Sequence, residues 1–409
     1  MEEKNILSLG RGLMAALLLS CVFVPRISVG TLGGFYSIDL RIDDILAALL
    51  ALLGWGLWAK GAVRPAFSFI VTAFLGFLIV AEISIFNGLL FRTIDKPLVS
   101  FLYLVKWFEY FLVFVLAGAF IRTPQDSRFL LRAFFLLGIA VAAYGYWEYF
   151  SPTAKAVYPN YYRLFERPPF QGDANHIGGL LVLWMGFVTG LFLKSPSRFW
   201  SGIFLAALLF AFFPLIWTYS RKSYFSLAGI FAFGLLFLGG RKRLVFMACV
   251  FVLLGLLLPT RLAERLLDLG EAFTSTDPFH SSVAGDWSMW KRALWNFDRF
   301  WLFGSGWGSR HRLFYESQYV LVLAETGLLG LSAFLVLCGA LVRQWVSLRP
   351  HKNGGEAQGT AAGWLLAFVG ILIHNFSCVS WTVAKIAIPF WLLTAVAFRH
   401  LHELKQNAG

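Results

Sequence analysis

Apolar runs of helix length recur along almost the whole chain, separated by short polar segments. This pattern predicts spans near 9–29, 42–59, 65–85, 100–121, 129–149, 176–193, 199–218, 223–239, 244–260, 318–342, 361–379 and 382–398. A bilayer core takes about 20 helical residues, and the runs lack the alternating pattern of a barrel strand. Helices also satisfy their own backbone groups in lipid. The predicted fold is therefore all-α: a polytopic transmembrane helical bundle of about 12 spans, with residues 1–409 as a single integral membrane domain. The run from Leu13 to Val24 resembles a signal peptide locally, but the spans that follow make it the first crossing.

Loop charge orients these spans. With the amino terminus inside, the inside loops contain Lys60 and Arg64, Arg122 and Arg128, Lys194 and Arg198, and Arg241 to Arg243. Arg343, Arg349 and Lys352 follow, then Arg399 and Lys405. Basic residues concentrate in cytoplasmic loops, so the pattern predicts that both termini are cytoplasmic. Two outside segments are longer than the rest. Residues 150–175 are rich in Tyr, Pro and Arg, and residues 261–317 form one long extracytoplasmic loop. Such a connection in a compact domain carries function or its own short helices. Residues 261–272 are amphipathic and suit the membrane surface, and 286–299 suit a second short helix. No internal repeat is visible, and the Gly-rich stretch 353–360 reads as a cytoplasmic linker.

Composition agrees with this architecture. The chain of 409 residues is 58% hydrophobic and 14% charged, with 43 Phe, and its mean hydropathy is +0.70. A formal charge of +13 in a soluble protein would suggest nucleic acid. Here loop anchors and anionic membrane lipids account for it, and no nucleic-acid partner is expected. Cys21, Cys249, Cys338 and Cys378 lie in or beside apolar segments without CxxC spacing, which reads as buried small side chains. There is no H-x-x-x-H, no zinc signature and no Walker loop. No metal, nucleotide or other cofactor is expected.

Several polar residues stand out against this background. Arg221 and Lys222 lie between two spans on the face where loop charge should be rare. An arginine fork suits phosphate oxygens; the competing reading is a side chain snorkelling to headgroups. Arg163 and Arg167 lie in a loop facing the same way and are either partners for a diphosphate or ordinary loop residues. Glu316-Ser317-Gln318-Tyr319 opens a span, and Glu325 follows nine residues later, about 13 Å deeper along a helix. Gly327 and Gly330 beside it permit close helix contact or a groove, and Glu325 serves either substrate or packing. Glu316 is the better placed to meet solvent and a sugar hydroxyl. Lys106 and Glu109 read as a structural pair within one span, and His374 and Asn375 lie near an outer helix end.

These residues resemble the O-antigen ligase and polymerase superfamily of bacterial polysaccharide assembly. Phe303-Gly304-Ser305-Gly306 looks like the family's Gly-x-Gly element, and Glu316-Ser317-x9-Gly327-x2-Gly330 looks like its His-Asn-x9-Gly-x2-Gly signature. Ser220-Arg221 resembles its outward Ser-Arg. Arg167 through Asn175 and His176 is similar to its Arg…Phe…Asn loop, and Arg292-x2-Trp295 to its Arg-x2-Trp. The resemblance implies a multi-pass protein of the bacterial cytoplasmic (inner) membrane with an extracytoplasmic active site. It implies transfer or polymerisation of a polyprenyl-diphosphate-linked glycan onto an acceptor hydroxyl, the acceptor being a glycan, lipid or protein. Polysaccharide assembly proteins are implied as further partners. In that reading Glu316 and Arg221 are catalytic, and Arg163, Arg167, Asn175, His176, Arg292, Gln318, Tyr319 and Glu325 bind substrate. Gly304, Gly306, Gly327 and Gly330 are structural. The departure is Glu316, where the ligase signature has a histidine that activates the acceptor. Two rival readings are a transporter of a lipid-linked glycan or another amphiphilic anion, and a non-catalytic assembly partner.

Overall fold

The computed structural model describes residues 3–25, 27–32, 36–61, 67–151, 163–165, 170, 174–237, 282–295, 297–309, 315–350 and 355–406. Its helices are α1 (Glu3–Phe23), α2 (Ile42–Ala59), α3 (Ser68–Leu90), α4 (Pro97–Phe120), α5 (Pro124–Phe150), α6 (Ala174–Lys194) and α7 (Arg198–Trp217). They continue with α8 (Arg221–Phe237), α9 (Ser282–Trp295), α10 (Phe297–Phe300), α11 (Gln318–Leu348), α12 (Gly355–His374) and α13 (Ala384–Gln406). Among the described residues, ten helices are long and apolar enough to cross a membrane. The 17-residue α8 stands beside them where an eighth span is expected. The expected span 244–260 and the amphipathic segment 261–272 lie outside the described residues.

Two features depart from expectation. Residues Ile27–Leu32 and Tyr36–Leu40 form an antiparallel hairpin, β1–β2, so the bundle is not purely helical. The first helix also begins at Glu3 rather than near residue 9. Arg11 sits inside it and forms an ion pair with Asp126 at the start of α5.

The bundle is organised around α6 and α13. Every residue of α13 from Ala384 to Leu401 is buried, as is every residue of α6 from Ile177 to Gly190. A helix apolar on all sides belongs at the centre. In lipid, close backbone approach replaces the hydrophobic drive between helices. It occurs where α6 meets α12: a Cβ on Gly186 would lie 2.7 Å from the Ala367 backbone. An aromatic core fills the space between α3, α4 and α13, with Phe74 stacked on Phe111 at 3.7 Å and Trp391 edge-on to Phe111 at 4.9 Å. Within α4, Lys106 meets Glu109 at 2.8 Å, as expected, and Asp44 of α2 joins them at 2.6 Å.

The glycine-rich element is an internal brace. Gly327 has φ 66° and ψ −164°, which breaks α11 nine residues below its start. The backbone groups this break releases are taken up by residues 301–306. Ser305 N donates to Ala324 O at 2.9 Å and Gly306 N to Glu325 O at 3.0 Å. Leu328 N donates to Trp301 O at 2.8 Å and Leu329 N to Leu302 O at 3.2 Å. From α3, Asn87 Nδ2 donates to Gly304 O at 2.8 Å. Gly304 has φ 73°, and a Cβ there would collide with the Glu325 carbonyl.

Gly304→Ala is expected to cost about 1–3 kcal/mol for the strained backbone alone, with the collision adding to it. Gly339→Ala in the same α11, where a Cβ meets nothing within 4 Å, should stay within about 1 kcal/mol of wild type. Thermal unfolding of the two purified variants in detergent checks the contrast; equal stability would remove the brace.

Candidate functional site

Loop charge predicts that the end of the bundle holding the start of α8 faces outward, and five backbone segments meet there. The turn from α7 to α8 is only Thr218-Tyr219-Ser220. Tyr219 takes a left-handed φ of 50°, Thr218 Oγ1 donates back to Leu215 O at 2.6 Å, and Ser220 N donates to Thr218 Oγ1 at 3.2 Å. This reversal puts Arg221 and Lys222 at the first two positions of α8. Two cations at the positive end of a helix dipole are unfavourable by about 0.3–1 kcal/mol each unless an anion offsets them.

One anion is in place. Glu316, immediately before the Ser317 N-cap of α11, forms an ion pair with Lys222. The contact joins the two elements that sequence reading singled out separately. Glu316 is 47% exposed, whereas Glu325 is fully buried beneath the glycine brace. Of the two carboxylates, only Glu316 opens toward solvent.

Neighbouring candidates hold backbone in place. Arg163 Nε donates to Thr218 O and Nη2 to Asn175 Oδ1, both at 2.9 Å, tying the preceding loop to the end of α7 and the start of α6. Gln318 N donates to Asn375 O at 2.9 Å, and the Gln318 side chain accepts from Trp381 N at 3.2 Å. Tyr319 Oη donates to Leu372 O at 2.8 Å. Gln318 and Tyr319 thus fasten the start of α11 to the end of α12. Arg167 lies outside the described residues, and Arg292 falls on α9.

Three groups here were missed or misread in the sequence. Lys385, at the start of α13, is buried and donates to Phe170 O at 2.9 Å. It looked like part of an apolar span. Cys378 is buried as expected, but it also hydrogen-bonds both His176 and His374. Burial pushes its thiol up; the charge of His374 and the two imidazole bonds outweigh that and hold it well below the ordinary thiol value. His374, noted only as an outer-end histidine, is fully buried, with Nδ1 2.8 Å from Ser380 Oγ. The four-residue spacing of His374 and Cys378 across a helix end was the available signal. Among the described residues, no group of three or more His, Cys, Asp or Glu is arranged to hold a metal ion.

Residues 205–335 match the family model described as O-antigen ligase. That match supports membership of the O-antigen ligase superfamily. It covers less than half of the chain, from α7 into α11, and includes Arg221, Glu316 and the glycine brace. No curated protein matches the chain. With the polytopic bundle, the family match supports an O-antigen ligase- or polymerase-like membrane function and a multi-pass place in the bacterial inner membrane.

The Arg163 clamp gives a direct test of how this end is held. Arg163→Ala should lower stability by about 1.5–3 kcal/mol, the range for hydrogen bonds to a charged group. Because Asn175 shares the bond, adding Asn175→Ala should cost less than its separate effect. Unfolding of the four species in detergent measures the coupling.

Proposed function

We propose that the protein transfers a glycan from a polyprenyl-diphosphate carrier to an acceptor hydroxyl at the outer face of the membrane. The observation that carries this reading is the ion pair of Lys222, next to Arg221 at the start of α8, with Glu316, just before α11. Cations at a helix N-terminus favour a multiply charged phosphate group, and an exposed carboxylate beside them suits an acceptor hydroxyl.

In this mechanism the acceptor oxygen attacks the anomeric carbon of the donor sugar, and Glu316 takes its proton. The bond from that carbon to the diphosphate oxygen breaks, and Arg221 and Lys222 stabilise the negative charge left on the polyprenyl diphosphate. Lys222 exchanges the Glu316 carboxylate for the diphosphate as donor binds, which leaves Glu316 able to accept the proton. Arg163 and Asn175 hold the turn that carries the cations, with His176 beside them at the start of α6. Gln318 and Tyr319 fix the approach of Glu316, and Arg167 and Arg292 contribute further donor contacts. Cleavage of the donor linkage drives the transfer. A polymerase and a ligase differ here only in whether the acceptor is another lipid-linked glycan or a different surface molecule.

Purified protein in detergent, given lipid-linked glycan and acceptor, should form a new glycosidic product detectable by mass spectrometry. A transporter would give none where no compartments exist. Arg221→Ala should reduce turnover about 10²–10³-fold. Glu316→Gln should reduce the single-turnover rate with saturating donor about 10²–10⁴-fold. An unchanged rate in Glu316→Gln removes that residue from the mechanism.

A further inference from the structure

Beneath the two cations lies a buried chain of hydroxyl and imidazole groups that the proposed transfer does not use. Ser220, Ser223, His374 and Ser380 are each at most 1% exposed. Ser380 Oγ lies 2.8 Å from His374 Nδ1, His374 Nε2 lies 3.5 Å from Ser223 Oγ, and Ser223 Oγ donates to Ser220 Oγ at 3.0 Å. His374 thus joins Ser380 to Ser223 through its two ring nitrogens, and Ser223 donates onward to Ser220. Ser223 lies in the first turn of α8 and Ser220 directly before it. Ser220 immediately precedes Arg221, and Ser223 immediately follows Lys222.

The chain occupies space made for it. α6 carries adjacent glycines where it faces the cluster. A Cβ on Gly178 would collide with Ser223 Oγ, and one on Gly179 would lie 2.7 Å from His374 Cε1. Burying an imidazole and two hydroxyls among apolar helices is costly unless they bond one another. The arrangement therefore fixes the rotation of the first turn of α8 relative to α12.

We infer that His374 is a positioning residue: through Ser223 and Ser220 it holds the first turn of α8, and with it Arg221 and Lys222, in the orientation that receives the anionic group. This rests on the transfer reading for its kinetic consequence but not for its structural one. Losing the imidazole frees the turn to rotate while leaving both cations present. The loss should therefore appear in turnover more than in donor affinity, since a displacement of about 1 Å costs about 10²-fold in rate.

The test uses the full-length protein in detergent with a defined lipid-linked glycan, and His374→Gln, Ser223→Ala and the double variant. Each single variant should lower kcat about 10- to 100-fold with donor KM changed less than about threefold. The double should be no slower than the slower single, because both break one chain. Gly179→Ala, which keeps every hydrogen-bonding group but displaces the imidazole, should give the same signature. Without donor, the amides of Ser223 and Tyr224, which bond to Ser220 O at 3.1 Å, should exchange with deuterium about 10-fold faster in His374→Gln. Multiplying rate losses in the double variant, or unchanged exchange at those amides, overturns the inference. If wild-type protein forms no glycosidic product, the transfer reading falls and the exchange measurement alone decides the positioning role.

Discussion

A backbone break inside a membrane helix has to be answered by other backbone, because lipid offers no hydrogen bonds. The break at Gly327 is the constraint around which this bundle is arranged. It turns α11 partway along its length and releases the carbonyls of Ala324 and Glu325 and the amides of Leu328 and Leu329. Residues 301–306 answer all four, and can do so only because their glycines accept positive φ and close contact. The brace is locked in turn by Asn87 of α3 and by Trp307, which is buried edge-on against Phe77 and Trp107. The outer section of α11 therefore has its own direction, independent of the section below. That freedom brings Glu316 across to Lys222.

The start of α11 is also fixed from the other side. Asn375 at the end of α12 receives the Gln318 amide, while the neighbouring His374 reaches the first turn of α8. The end of α12 is thus the common support of both chemistry-bearing helix starts. Its partner α6 supplies the clearance, through Gly178 and Gly179 at this end and through Gly186 further along. Packing and site geometry are one problem here. The glycines of α6 that let it approach α12 also make room for Ser223 and His374 beneath the start of α8.

Much of the helical architecture was readable because bilayer thickness imposes a length on each span. The second helix, Ile42–Ala59, falls where hydropathy puts it, and α6, α7 and α8 differ from expectation by about two residues. Hydropathy misses what depends on pairing. It started α1 about six residues late and ran it to residue 29, which left no room for the hairpin before α2. The site divides in the same way. Arg221 and Lys222 announced themselves as charges in an unexpected place, but the Lys222–Glu316 contact is tertiary and no spacing encodes it. Lys385 and Cys378 were hidden inside apolar stretches, and only folding shows the Phe170 carbonyl and the two imidazoles that make them polar.

Positive charge is held by side-chain and backbone partners at both ends of the bundle. At the predicted cytoplasmic end the cations meet carboxylates: Arg11 pairs with Asp126, and Arg128 binds Glu356 through Nε and Nη2, both at 2.8 Å, with His400 3.2 Å from the same carboxylate. Those contacts balance charge and tie α1, α5, α12 and α13 together. At the predicted outer end, Arg41 pairs with Asp43 at 2.9 Å and Lys222 with Glu316, while Arg163 donates to oxygens of Thr218 and Asn175 and Lys385 to that of Phe170. The bonds of Arg163 and Lys385 orient a cation without cancelling its charge. Topology alone would place few cations at this end. Cations oriented by these hydrogen bonds suit preorganised binding of a mobile anion.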